Sequence, residues 1–200
     1  MIDPPPRLRE GFSFRLLGSP ERVSLHPKQA LSGMLVACLC LLTTAMLMPR
    51  IGNAQDAQVT KSMAALKDRT AKLGAPKIEG KAAVGGKEVP ALFFGSTKMN
   101  NNVAVVDEVA KAGGKGVAAT LFVKADDQFV RVATTVAKPD KTGRAIGTAL
   151  DPGPALDALK SGKAYSGEVS VFDKPYVADY EPITDSSGQI IGAYFVGRKK

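Results

Sequence analysis

From Val117 to Gly197 the sequence alternates apolar, β-branched runs of strand length with short polar turns, and that rhythm limits the fold more than any other feature. VAATLFVKA is followed by Asp126-Asp127, QFVRVATTVA by KPDKTG, and RAIGTAL by DPGPALDALKSG, a segment with the marks of a short helix from near Asp151 to Gly162. AYSGEVSVF, a turn at Asp173-Lys174-Pro175, YVADYEPIT, a turn at Ser186-Ser187-Gly188 and QIIGAYFVG complete the series. Strand-length runs joined by tight turns predict an antiparallel meander. Helices gathered before and within it make the fold class α+β.

The preceding stretch supplies those helices. Val59, Met63, Leu66, Thr70 and Leu73 recur at spacings of four and three, the stripe of an amphipathic helix of about 18 residues. Gly74 and Pro76 stop it. The stripe is narrow, which suits packing on one flank or a dimer seam. Residues 74–90, rich in Gly and Lys, read as a loop, and 91–95 as a short strand. Asn100 to Asn102 cap a second helix over 103–112, with Val103, Val106, Val109 and Ala110 inward and Gly113-Gly114 ending it.

The first 54 residues have a different character. Residues 34–48, MLVACLCLLTTAMLM, carry no charge over fifteen positions. A bilayer-spanning helix needs about 20 residues, so the run fits the h-region of a signal peptide with a long n-region. Pro49 breaks it, and Gly52-Asn53-Ala54 places small residues at the −3 and −1 positions of a cleavage site before Gln55. Residues 55–200 then form a single exported domain, which points to the periplasm. Two other readings compete with cleavage. Leu35-Val36-Ala37-Cys38 resembles a lipoprotein box, although ten mostly apolar residues follow the cysteine, and an uncleaved segment would anchor the chain.

Residues 55–200 hold twenty-one Lys and Arg against sixteen Asp and Glu, a net charge of +5. The lysines are scattered, with no aromatic-basic stripe, so the surface is a solubilising one and no nucleic-acid partner is expected. Both cysteines, Cys38 and Cys40, and the single histidine, His26, precede residue 55. The domain therefore has no thiolate or imidazole for metal binding, disulfides or a nucleophile relay, and no cofactor is expected. Asp126-Asp127 reads as a turn rather than a cation site. Gly74 to Ala82 has one residue too many for a phosphate loop and lacks its Ser or Thr, and Ala112 to Gly116 is a helix-ending loop. Most enzyme classes are excluded.

A few residues remain for binding. Strict alternation places Phe129, Arg131, Ala133, Thr135 and Ala137 on one face of a strand, opposite Val130, Val132, Thr134 and Val136. Arg131 either forks onto a ligand carboxylate or pairs with an acid at a sheet edge. Arg144 follows a turn and reads as an exposed residue with a secondary ligand role. Gly147-Thr148 suits a close backbone approach to a ligand or neighbour, or a plain bulge. Tyr165, Tyr176 and Tyr180 occupy one hairpin, where they either wall a pocket or pack a sheet. Asp179 is placed to receive a ligand ammonium or to pair with Arg131.

RVATTV, RAIGT, GKAYSGEV, PYVADYEPI and GQIIGAYFVG resemble the Cache family of extracytoplasmic sensor domains, and more narrowly its Cache three/Cache two fusion subtype from methyl-accepting chemotaxis receptors. The resemblance runs over residues 56–198. It implies a long N-terminal helix on a PAS-like, five- or six-stranded antiparallel sheet, with a small-molecule pocket on the sheet face under loops and short helices. Receptors of the family continue into a second membrane span and a signalling module. This sequence ends at Gly197-Arg-Lys-Lys200, so the expectation is a stand-alone exported domain.

The expected function is non-enzymatic binding of a small carboxylate or amino-acid-like metabolite, with Arg131 and Thr135 on its anionic end and tyrosines along its body. A membrane receptor or kinase would read the bound state. The competing reading is a ligand-free interaction module that forms a homodimer through its N-terminal helix; an exported enzyme ranks third. Mass spectrometry of the exported protein is expected to find Gln55 at the N-terminus. An intact or lipidated leader would overturn the cleavage reading.

Overall fold

The computed structural model describes residues 54–200; the expected leader's apolar run and the Leu35–Cys38 box lie outside the described residues. The first helix, α1 (Ala54–Leu73), buries Val59, Met63, Leu66 and Thr70 along one flank, as the four-three spacing requires. Thr70 donates back to the carbonyl of Leu66 at 3.0 Å, and its hydroxyl lies 3.2 Å from that of Tyr194. The stripe is covered by the chain's own sheet, so it is not a free seam.

Residues 74–90 are not a loop. They form β1 (Pro76–Val84) and the start of β2 (Lys87–Phe94), an antiparallel hairpin completed by the two-residue β3 (Thr97–Lys98). Gly85 and Gly86 turn the hairpin with φ of 58° and 81°, values that suit the two-residue turns favoured by strand twist. Most of β1 is exposed, so its Lys, Glu and Ala carry no apolar alternation to read. Its order comes from cross-strand pairing instead. Helix α2 (Ala104–Gly113) follows, with Val106 and Val109 buried and Asn102 Oδ1 accepting from the amide of Ala104 at 3.2 Å.

The main sheet contains β4 (Val117–Ala125), β5 (Gln128–Thr134), β6 (Tyr165–Val171), β7 (Lys174–Thr184) and β8 (Ile190–Lys199). Its order is β5-β4-β8-β7-β6, antiparallel throughout. It is therefore not a simple meander. The last strand inserts at the centre, pairing Val117 with Arg198 and Val123 with Gly192. Turn chemistry specifies chain neighbours, not this closure.

One face of the sheet carries α1, α2 and the small sheet over Leu121, Val123, Val132, Ile183 and Val196. The other carries α3 (Pro154–Lys160) and its flanking loops, with Leu159 of α3 packed over Phe122, Phe129, Tyr180 and Phe195. RAIGTAL is not a regular strand. It runs along the edge of β5 through two isolated bridges, Val130 to Ala149 and Ala137 to Arg144. Gly147, at φ 84°, bends it away from regular pairing.

That bend brings two backbones together. A Cβ on Gly147 would stand 2.7 Å from the Gly85 Cα and 2.8 Å from the Val84 carbonyl oxygen. Gly147→Ala is expected to cost about 1–3 kcal/mol, since the added carbon combines a clash with a left-handed backbone. Leu66→Ala, which empties a fully buried site under α1, is expected to cost about 2–5 kcal/mol. Urea unfolding measures both, and a loss below about 0.5 kcal/mol in either would contradict the packing described.

Candidate ligand-binding site

The chemistry-bearing residues gather on the α3 side of the main sheet. Arg131 lies on β5 opposite Phe122 of β4, and only 2% of it is exposed. Its guanidinium carbon is 5.2 Å from the centre of the Phe122 ring and 5.1 Å from that of Phe172, so the cation is held between two aromatic faces. Nη1 donates to the Thr148 hydroxyl at 2.8 Å and to the Ala149 carbonyl at 2.5 Å. Thr148 is fixed in turn by donating to the Ala145 carbonyl at 2.8 Å. Among the described residues, Nε and Nη2 have no hydrogen-bond partner, and no carboxylate lies within ion-pairing distance of Arg131. The edge salt bridge considered from sequence is not formed.

In front of this arrangement is a cavity of about 460 Å³ between the loop leading into α3 and the β6–β7 hairpin. Asp151 and Pro154 border one side, Glu168, Ser170 and Phe172 the other, with the buried Tyr180 at the base. The Tyr180 ring packs 4.9 Å from Phe195 and 6.4 Å from Phe122. Its hydroxyl has no hydrogen-bond partner among the described residues, which leaves it available to a guest in the cavity.

Burial holds the Arg131 guanidinium below its ordinary value, opposed by the nearby Tyr180 and Asp151, which favour the charge. An arginine starts so high that it stays cationic at neutral pH. Burial also drives the Tyr180 phenol well above the usual tyrosine range, with Arg131 pulling it partly back. Tyr180 is therefore a neutral hydroxyl beside a fixed cation. It can donate to an anion that Arg131 attracts.

The other expected site residues are distributed less tightly. Thr148 does meet Arg131, as the residue that positions its guanidinium. Thr135 does not, because β5 bulges at Val132: Leu121 faces Ala133 while Phe122 faces Arg131. The extra residue reverses the alternation. Ala133 joins the α1 side, Thr134 and Val136 turn to the α3 side, and Thr135 bonds to the backbone of Ala119.

Tyr176 and Thr135 border a separate concavity of about 260 Å³, which Phe172 also lines. Tyr165 stacks edge-on against Tyr180 with centroids 6.3 Å apart and donates to the Glu168 carbonyl. Asp179 faces α1, on the opposite side from Arg131, bonded to Ser166 and to Thr60. Arg144 grips both oxygens of Asp107 and the Thr134 carbonyl, tying the edge segment to α2. Its fork is already used.

Sequence reasoning missed Asp151, Phe122 and Phe172. The Pro-Gly-Pro run after Asp151 marked an irregular loop that could have framed a pocket. Phe122 was legible only as one more core residue. The sequence pattern puts the hairpin turn at Asp173 to Pro175, but Val171 pairs with Lys174, so the turn residues are Phe172 and Asp173.

A five-stranded antiparallel sheet with a long helix on one face, and a small cavity under loops on the other, defines a PAS-like sensor domain. The chain belongs to the Cache 3/Cache 2 fusion domain family, whose model matches residues 44–200. Domains of this family are extracellular or periplasmic sensors that bind small molecules, are not enzymes, and usually sit in membrane receptors. No curated protein matches the chain. No helix among the described residues is long and apolar enough to cross a membrane.

Tyr180 makes the site measurable by pH. Its folded value lies above the unfolded tyrosine value of about 10, so folding retains that proton where the unfolded chain releases it. The resulting stability is complete below pH of about 10 and declines as the pH rises beyond it. Tyr180→Phe is expected to flatten that decline when urea midpoints are compared between about pH 9 and pH 11.5. Equal slopes in the two proteins would contradict the burial of this phenol.

Proposed function

We propose that this is an exported sensor domain whose α3-side cavity takes a small amino-acid-like metabolite, with short carboxylates as the simpler alternative, and reports occupancy to a membrane signalling partner. The observation that carries the reading is Arg131: a buried cation with no carboxylate in ion-pairing distance among the described residues, with two nitrogens uncommitted and one of its flanking rings, Phe172, on the wall of a cavity. Burying a charge without a counter-ion is costly, and a ligand anion would offset that cost. Tyr180 supplies a second donor. Asp151, Glu168 and Asp173 around the cavity favour a ligand that also carries an ammonium group. A cavity of this size fits a molecule of amino-acid dimensions.

A thermal-shift screen of the exported protein against amino acids and short organic acids tests this directly. A ligand at about one hundred times its Kd is expected to raise the Tm by about 5–10 °C. Tyr180→Phe and Asp151→Asn are expected to reduce that rise while leaving the unliganded Tm within about 3 °C of the parent. If no compound of either class shifts the Tm, the binding reading falls and the ligand-free interaction module takes its place.

A further inference from the structure

Phe172 sits at a position that phenylalanine rarely occupies. It and Asp173 form the two-residue turn between β6 and β7 with φ of 48° and 59°. Gly, Asn and Asp dominate such positions, because a bulky side chain at positive φ crowds its own backbone. Asp173 fits that preference and Phe172 does not. The unfavourable backbone has a visible consequence: it throws the ring over the guanidinium of Arg131, opposite Phe122.

The same ring borders both the 460 Å³ cavity and the 260 Å³ concavity that holds Tyr176 and Thr135. Arg131 borders neither. Phe172, partly exposed at the hairpin tip, is thus the one residue common to both linings, and its ring also flanks the cation. Its ring moves on two side-chain torsions, whereas the opposing Phe122 is fully buried in the sheet. Of the two rings that flank the cation, Phe172 is the one free to leave.

We propose that Phe172 is a swinging partition: its ring closes over Arg131 in the empty domain, and a ligand carboxylate displaces it to reach Nε and Nη2, joining the two spaces into one site. The proposal rests on the reading of the cavity as a ligand site and adds its gate. It makes Phe172 a determinant of specificity. Closure lowers apparent affinity by the fraction of molecules that are open, so only ligands able to contact Arg131 recover that loss.

Phenylglyoxal, which reacts with accessible guanidinium groups, tests the partition without knowledge of the ligand, using peptide mass spectrometry to follow each arginine. In the parent protein Arg131 is expected to react more slowly than the partly exposed Arg198. Phe172→Gly, which removes the ring and suits the positive φ, is expected to speed Arg131 modification by about tenfold or more. Leu159→Ala loosens the same side of the core without touching the ring, and serves as the control for general destabilisation. Acetate and trimethylglycine, each at high concentration, are expected to protect Arg131, and at lower concentrations in Phe172→Gly than in the parent. An unchanged rate in Phe172→Gly, or an equal acceleration in Leu159→Ala, overturns the partition. Acceleration confined to Phe172→Gly without protection by either compound leaves the partition standing and overturns the carboxylate reading instead.

Discussion

The α3 side of this domain depends on how one buried guanidinium is accommodated. Arg131 is placed in the sheet with almost no solvent and, among the described residues, no carboxylate within ion-pairing distance. Two aromatic faces, one hydroxyl and one backbone carbonyl take the place of water. Such partners lower the cost of a buried cation without cancelling its field. Much of the surrounding structure serves that arrangement. The edge segment from Arg144 to Leu150 bends at Gly147 to deliver Thr148 and Ala149 to Nη1, and the β6–β7 turn accepts an unfavourable backbone to supply the second ring. Close by is a cavity whose base carries the Tyr180 phenol, which has no hydrogen-bond partner among the described residues.

The opposite face has a contrasting character. Leu121, Val123, Val132 and Val196 meet Val59, Met63, Leu66, Val106 and Val109 in an apolar interior, and the polar groups there are satisfied locally, as Thr70 is by its own helix and Tyr194. One sheet thus presents a packed face that fixes α1 and α2, and a second face that leaves space under a loop. Placing β8 between β4 and β7 makes this separation firm, because the strand nearest the C-terminus locks both halves of the sheet together.

Several features were legible because they are local. The spacing of Val59 to Leu73 defined α1, turn residues separated β4 from β5 and β7 from β8, and the quoted motifs carried the family. The candidate site was only partly legible. Arg131, Tyr180 and Thr148 converge as named, but Thr135 and Asp179 do not, since alternation is a rule for unbroken strands and one bulged residue at Val132 reverses it. Arg144 looked like a free turn cation because Asp107, its partner, is 37 residues away. The β1–β2 hairpin was missed for a similar reason: an exposed strand carries its information in its partner, not in its own pattern.

The sequence by itself determined which chemistry this domain can use. With cysteine and histidine confined to the stretch before residue 55, its polar binding groups are limited to hydroxyls, carboxylates, amides, amines and guanidinium, whatever the fold. It also determined the class of the fold, because hydrophobic periodicity and turn chemistry act over a few residues at a time. The tertiary structure alone decided that β8 closes the centre of the sheet, that Arg131 and Asp179 face opposite ways, and that a phenylalanine from a distant turn covers the cation. Those outcomes depend on strand order, on a single bulge and on contacts between segments far apart in the chain. No local pattern encodes them.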